Sequence, residues 1–220
     1  MAIRTSVIIR GMAKSVLILG AVQFLLAAAP GSTVGPEELQ GSVDPFELKA
    51  DHRTVLGLYL TARDANSYLK KHPEILFIDA RSRAEVNFLG MPDRVDANIP
   101  YGFMHPGYRL GNDGRFYNRL KNEHFVDAVK EIIERKGLGT DPVIFVICRA
   151  GYGAARVIDE LATAGFTRAY SIVDGFEGEL DANGKRTLNG WKNAGLPWSY
   201  GIGAERAFRP PLEAIDSAGR

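Results

Sequence analysis

The sequence predicts an open parallel α/β sheet that is flanked by helices on both faces. Short apolar runs typical of buried strands occur at 75–78, 143–147 and 169–173, and segments with helical spacing of apolar residues lie between them. Strands that alternate with helices through short links form parallel sheets covered on both sides. A chain of 220 residues with 45% hydrophobic content is long enough for one such domain of about 100–200 residues plus extensions.

Residues 1–29 are predicted to be an export signal. Arg4, Arg10 and Lys14 precede a charge-free stretch, 15–29, which ends in three alanines that suit a cleavage site. The stretch is shorter than the ~20 residues of a spanning helix, so a membrane anchor is the less favoured alternative. We expect an exported, periplasmic protein whose mature form has no stable membrane span. The formal net charge of +1 gives no basic footprint for nucleic acid.

Residues 30–55 are predicted to be a linker or lid in front of a domain at 56–200. Glycine and proline open this segment, and acids mix with isolated hydrophobic residues after them without a sustained period. We expect His52 to be a solvated linker residue. The tail at 201–220 is expected to be loosely held.

The domain is predicted to begin with a strand at 56–60. A helix then starts at Thr61, whose spacing to Asp64 is that of a capping box, and ends near Lys71. A second helix is predicted at 124–136, where apolar residues recur on one face. We expect this amphipathic helix to cover the core.

The connection at 101–122 is long, and glycines and prolines interrupt any regular element in it. It also carries several aromatic and basic residues, among them Arg109 and Arg115. Long irregular connections in compact domains tend to be functional. We hypothesise that this segment rims the pocket and binds the substrate or a partner. The alternative is a solvated surface excursion.

The single cysteine, Cys148, follows the strand predicted at 143–147 and precedes a helix. Gly151 and Gly153 allow a tight loop whose N–H groups point at the sulfur. The positive end of the helix dipole and Arg149 add positive charge, which favours a thiolate with a pKa below about 8.5. A lone cysteine in an exported protein is buried and inert, paired between chains, or reactive. The glycine loop favours the reactive interpretation.

Three separated motifs resemble those of single-domain rhodaneses, a family of sulfurtransferases. The cysteine loop at 148–153 is similar to the active loop of that family. The other matching positions lie upstream and downstream of it: 78–81, Glu85, Gly90, 98–100, 175–178, Trp191 and 195–197. The resemblance covers roughly 58–198 and implies a rhodanese-like fold.

The resemblance implies a sulfurtransferase that forms a persulfide on Cys148. The donor would be thiosulfate or a similar small sulfur-containing anion, and the acceptor a thiol, cyanide or a protein. No cofactor and no metal are implied. The implied substrate-binding residues are those of the loop: Arg149, Ala150, Gly151, Tyr152 and Gly153.

Asp79, Arg81 and Glu85 are implied as supporting residues near the active loop. Asp79 would orient the loops around the cysteine, or cap the next turn, and the two roles are compatible. Glu85 stands where the family places an acid close to the catalytic loop. Arg149 would bind the anionic donor or be a solvated loop arginine.

Two positions depart from the family pattern. Met91 follows Gly90 where relatives usually have a histidine, so any role of that imidazole is missing. Gly153 stands where a basic residue or threonine is frequent, so anion binding there is weaker or is supplied by the 101–122 segment. Arg156 matches a frequent family position, or forms only a surface pair.

Two other functions remain open at the level of sequence. One is a non-catalytic rhodanese-like binding module or periplasmic sulfur carrier, which would show slow turnover with free thiosulfate. The other is a cysteine phosphatase, whose chemistry requires an arginine six residues after the nucleophile. Ala154 occupies that position, which disfavours the phosphatase.

Overall fold

The computed structural model describes residues 39–210 except 106, 108, 109, 112, 113, 115 and 116. The strands are β1 (Tyr59–Leu60), β2 (Leu76–Asp79), β3 (Met91–Pro92), β4 (Ala97–Asn98), β5 (Gly102–Met104), β6 (Arg119–Lys121), β7 (Ile144–Ile147), β8 (Ala169–Ile172) and β9 (Trp198–Ser199). Five of them form a parallel sheet in the order β1-β8-β7-β2-β4. β3 pairs with β9 and β5 pairs with β6, both antiparallel.

The α-helices are α1 (Ala62–Lys71), α2 (Arg83–Leu89), α3 (Phe125–Arg135) and α4 (Tyr152–Thr163). Helix α1 begins where the sequence predicts, because the Thr61 side chain accepts a hydrogen bond from the Asp64 N–H. Helix α3 has the predicted buried face. None of the helices among residues 39–210 is long and apolar enough to cross a membrane.

Alternating side chains of the central strands build two cores, one on each face of the sheet. Phe77 and Phe145 pack on one face, in the same cluster as the buried side of α1. Ile78 and Val146 point to the other face and pack with α3 and α4. This alternation follows from the two-residue period of a strand, and burial on both faces explains the apolar runs. The predicted fold class, an open parallel sheet with helices on both faces, is confirmed.

The first strand is shorter than predicted. Gly57 takes a φ of +65°, and its N–H donates to the Thr54 carbonyl oxygen at 3.3 Å, so the chain turns there. Pairing with β8 therefore begins only at Tyr59. Propensity alone extended the strand through a glycine that the structure uses for a turn.

The expectation of a loosely held tail is wrong for the residues that follow β9 as far as Phe208. The Asn98 N–H donates to the Arg206 carbonyl oxygen at 2.8 Å, and the Phe208 N–H donates to the Asn98 carbonyl oxygen at 3.1 Å. The chain thus pairs with the outer edge of β4, and the Phe208 ring stacks on Phe103. Covering an open sheet edge satisfies its unpaired backbone groups. Residues 211–220 lie outside the described part of the chain.

The segment that precedes β1 packs on the domain. Leu39 is buried, and its carbonyl oxygen accepts a hydrogen bond from the Tyr170 hydroxyl at 3.0 Å. The expectation that His52 is solvated is wrong, because its side chain is buried against the Cys148 loop. The predicted export signal at 1–29 lies outside the described residues.

Candidate functional site

Cys148 lies at the centre of the carboxyl edge of the sheet. It directly follows β7, the middle strand, and only 6% of the residue is exposed. It lines a pocket of about 190 Å³ together with residues from several elements. The other lining residues are Ala80, Arg81, Glu85, Tyr101, Gly102, Arg119, Leu120, Lys121, Arg149, Tyr152, Gly153 and Arg156. Ligands of open α/β folds bind at such an edge.

Four backbone N–H groups surround the sulfur of Cys148. They belong to Ala150, Gly151, Gly153 and Ala154, and each favours the ionised form of the thiol. Gly151 has a φ of +89°, a conformation that L side chains rarely adopt, and it precedes the first residue of α4. The predicted inward orientation of the loop amides is therefore present.

Burial has the opposite effect on the sulfur and is the stronger one. Removal from water raises the pKa of Cys148 above the ordinary thiol value, although the four N–H groups lower it in part. The expectation of a pKa below about 8.5 for Cys148 is thus wrong. The loop motif reveals the amide donors, but the depth at which the surrounding core encloses the sulfur is a tertiary property.

The carbonyl groups of Cys148 and Arg149 point away from the sulfur and accept hydrogen bonds from the segment after β8. The Phe176 N–H donates to the Cys148 carbonyl oxygen at 2.8 Å, and the Glu177 N–H donates to the Arg149 carbonyl oxygen at 3.0 Å. A Cβ at Gly175 would lie 2.6 Å from the carbonyl carbon of Arg149, so this close approach requires glycine. The motif at 175–178 therefore holds the cysteine loop in place.

Arg149 is half-exposed and paired. Its Nε donates to Glu177 Oε2 at 2.5 Å, while 39% of its side chain remains accessible at the pocket. It is therefore not the freely solvated loop arginine that sequence reasoning left open. Tyr152, the next exposed member of the loop, lines the same pocket and is 39% exposed.

Asp79 and Arg81 form a buried ion pair beside the loop. Asp79 Oδ1 accepts hydrogen bonds from the Arg81 backbone N–H at 3.0 Å and from Arg81 Nε at 2.9 Å. Arg81 Nη2 also donates to the Gly90 carbonyl oxygen at 2.8 Å. Asp79 therefore caps the turn after β2 and also orients an arginine that lines the pocket, so the two roles considered for it occur together.

Glu85 links a helix start to the pocket wall. Its Oε2 accepts a hydrogen bond from the Ser82 N–H at 3.0 Å, which closes the capping box of α2. The same oxygen lies 3.7 Å from Arg119 Nη2. Glu85 thus contacts the β5–β6 hairpin rather than Cys148 itself.

The two ends of the 101–122 segment form one wall of the pocket. Tyr101 and Gly102 lie at its start, and Arg119 and Lys121 in β6 lie at its end. Lys121 Nζ pairs with Glu160 at 3.1 Å. Arg109 and Arg115, which the sequence singles out, lie outside the described residues.

Two residues near the loop have roles that sequence reasoning undervalued. Arg156 lines the pocket one helical turn after Tyr152, and the i, i+4 spacing of the two side chains is a signal that was available. His52 contacts the loop from its outer side at a sequence separation of 98 residues. No local pattern announces such a contact.

No protein-family model matches this chain. It is 35% identical over 85 residues to the uncharacterized protein RP600 of Rickettsia prowazekii, a match that covers 39% of the chain and 62% of RP600. It is 27% identical over 136 residues to the RP600 homolog of Rickettsia rickettsii, covering 62% of the chain and 92% of that protein. Both relatives are uncharacterized.

Two solved structures are also similar. Rv0390 from M. tuberculosis is 31% identical, with a TM-score of 0.45, and the match covers 65% of this chain and 97% of Rv0390. A polysulfide-sulfur transferase homodimer from Wolinella succinogenes is 23% identical, with a TM-score of 0.37, and covers 69% of this chain and 80% of that one. The fold itself is an open parallel five-stranded sheet with helices on both faces.

Proposed function

We propose that the protein is a rhodanese-like sulfurtransferase that carries a sulfane sulfur as a persulfide on Cys148. The observation that carries this proposal is the group of four backbone N–H groups around the sulfur of Cys148, which lines a small pocket. Such donors stabilise a terminal persulfide anion in the way that an oxyanion hole stabilises oxygen. The sequence similarity of the three motifs supports the same chemistry.

The charge of the pocket supports a small anionic donor such as thiosulfate. Five basic residues and one acidic residue line the pocket. Arg149 and Arg156 come from the loop and α4, whereas Arg119 and Lys121 come from β6. In a partly enclosed pocket these charges attract an anion more strongly than they would in open solvent. A pocket of about 190 Å³ suits a molecule of a few heavy atoms.

The proposed transfer has two steps. The Cys148 thiolate attacks the outer sulfur of thiosulfate, a sulfur–sulfur bond forms, and sulfite leaves with the electron pair of the bond that breaks. A nucleophilic acceptor, cyanide or a thiol, then attacks the outer sulfur of the persulfide. With cyanide the products are thiocyanate and the regenerated Cys148 thiolate.

The raised pKa of Cys148 favours a second candidate function, a sulfur carrier. Burial keeps Cys148 mostly in the neutral thiol form at neutral pH. Only the thiolate is the nucleophile, so the attack on free thiosulfate is slow. A carrier needs only to be loaded once and then to deliver its sulfur to a protein partner. Slow turnover with thiosulfate and cyanide, together with a persistent persulfide, would identify the carrier.

Intact-mass measurement tests the proposed chemistry directly. The protein is incubated with thiosulfate, and we expect a gain of one sulfur atom that is lost on addition of cyanide. The C148S variant serves as the control and should gain nothing. Absence of the added sulfur on the folded wild-type protein, with both thiosulfate and polysulfide as donors, would refute the function.

We also propose that the chain is exported to the periplasm through residues 1–29. The support is the basic start followed by a charge-free stretch and small residues. Cell fractionation of the full chain tests this, with a variant in which Arg4, Arg10 and Lys14 are replaced by glutamate as the control. Recovery of the wild-type chain only in the cytoplasmic fraction would contradict it.

A further inference from the structure

The His52 side chain lies directly behind the Cys148 loop. His52 is 8% exposed, and its Nε2 lies 2.9 Å from the Ala150 carbonyl oxygen. Its Nδ1 lies 2.8 Å from Asp51 Oδ1. The imidazole thus connects the segment before β1 to the loop that holds the nucleophile.

The partners of the ring decide which nitrogen carries a proton. A carbonyl oxygen only accepts hydrogen bonds, so Nε2 must donate to Ala150. Asp51 is ionised, because the hydrogen bond with His52 lowers its pKa. Its carboxylate also accepts hydrogen bonds, so Nδ1 donates to Asp51 whenever that nitrogen carries a proton.

The hydrogen bond to Ala150 fixes the orientation of one peptide group. The peptide bond between Ala150 and Gly151 is trans, so its C=O and N–H point in opposite directions. The carbonyl oxygen points outward to His52, and the N–H of Gly151 therefore points inward, where it interacts with the sulfur of Cys148. The ring and the sulfur therefore lie at opposite edges of the same peptide group.

Within the part of the chain that the structure describes, His52 is the only side chain that holds one of the first three carbonyls of the loop. The carbonyl oxygens of Cys148 and Arg149 accept from backbone N–H groups, those of Phe176 and Glu177. The contact between the His52 ring and Gly151 is also tight, because a Cβ added at Gly151 would lie 2.5 Å from Cδ2 of His52.

We propose that His52 is a positioning residue for the Cys148 nucleophile: its Nε2–H holds the Ala150 carbonyl oxygen outward and so keeps the Gly151 N–H on the sulfur. The inference deepens the proposed function and rests on it for its biological meaning. Its test uses alkylation of Cys148, which requires no sulfur transfer. Failure of the proposed function therefore leaves this inference testable.

Two substitutions of similar shape distinguish the two hydrogen bonds of the His52 ring, the one to Asp51 and the one to Ala150. The amide nitrogen of glutamine reaches the position of Nε2, whereas that of asparagine reaches only the position of Nδ1. H52Q therefore retains a donor to Ala150, and H52N retains a donor to Asp51 but loses the one to Ala150. The readout is the pH profile of Cys148 alkylation by iodoacetamide, since loss of an N–H group from a thiolate raises its pKa.

We expect the midpoint of the H52N profile to move upward and its alkylation rate at pH 7.5 to fall roughly fivefold, the effect of one hydrogen bond. H52Q should follow the wild-type profile. Y170F is the matched control, because it removes the bond from Tyr170 to the Leu39 carbonyl oxygen and so loosens the same segment without touching the loop. Its profile should also match the wild type.

Three results would overturn the assignment. One is a folded H52N protein with the wild-type profile, and another is a shift of equal size in H52N, H52Q and Y170F, which would indicate only a structural role. The third comes from the wild-type protein and does not depend on the folding of any variant. A ¹⁵N NMR spectrum that shows Nε2 of His52 without a proton would exclude donation to Ala150.

Discussion

The guanidinium carbon of Arg81 lies 4.0 Å from the ring centroid of Phe176, whose backbone N–H donates to the carbonyl oxygen of Cys148. Arg81 is itself paired with Asp79 in the interior, so a buried charge supports the residue that holds the nucleophile loop. The end of β2 and the loop after β7 are thereby mechanically connected. Loss of either charge should affect both stability and reactivity.

Removal of one partner of this pair should strongly destabilise the fold. R81M leaves the Asp79 carboxylate buried without its partner, which costs about 3–5 kcal/mol in the free energy of unfolding. Urea denaturation measures the loss. R135A is the control, because Arg135 forms only an exposed pair with Glu131 and should change the stability by less than about 1 kcal/mol. Equal effects of the two substitutions would contradict the buried role.

The reactivity of Cys148 should depend on pH in the direction set by its burial. Because the pKa of Cys148 is raised in the folded protein, the neutral thiol predominates at pH 7. The alkylation rate should therefore still be rising above about pH 8.5, the ordinary pKa of a free thiol. Iodoacetamide labelling that is quenched at set times, from pH 6 to 10, measures this dependence of the rate on pH. A rate that has reached its plateau by pH 7.5 would contradict the prediction.

The same raised pKa has a consequence for stability with a definite sign. Ionisation of Cys148 favours the unfolded chain, so its contribution to folding is fully present below the unfolded-state pKa and is lost as pH rises through the folded-state pKa. The stability difference between wild type and C148S, which does not ionise, should therefore shift against the wild type above about pH 8.5. Denaturation at pH 7 and pH 10 measures it, and a constant difference would refute the sign.

Loss of the pocket cations should weaken binding of an anionic donor. R156A removes a charge that lines the pocket without belonging to the loop, so KM for thiosulfate should rise roughly fivefold with a smaller change in kcat, as for the loss of about 1 kcal/mol of binding. The effect should shrink at high salt. K130A, on the exposed side of α3, is the control and should leave KM unchanged. A similar rise in both variants would indicate a non-specific charge effect.

A methyl group at Gly175 should displace the cysteine loop. Gly175 has a φ of +61°, and an added Cβ would lie 2.6 Å from backbone atoms of Arg149 and Ala150. We expect G175A to lose more than about 1 kcal/mol of stability and most of its sulfur loading. G139A is the matched control, because nothing lies within 4 Å of an added Cβ there and its φ is not in the left-handed range. Comparable stability of the two variants would contradict the close approach.

Sequence reasoning was sufficient for the features that depend on neighbouring residues. Apolar runs place β2, β7 and β8, the three inner strands of the parallel sheet, and helical spacing places α3 and α4. The glycines after Cys148 imply a ring of amides around its sulfur. These properties are local, because backbone conformation and side-chain periodicity act over a few residues. The Thr61 cap and the position of Asp79 at the end of β2 belong to the same class.

Only the tertiary structure decided the properties that depend on distant segments and on burial. His52 reaches the Ala150 carbonyl oxygen across 98 residues, and the chain around Ala207 pairs with β4 although the sequence suggests a loose tail. The raised pKa of Cys148 likewise depends on how completely the core excludes water, which no stretch of sequence specifies. The motif determines which atoms surround the sulfur, whereas packing of the whole chain determines its charge.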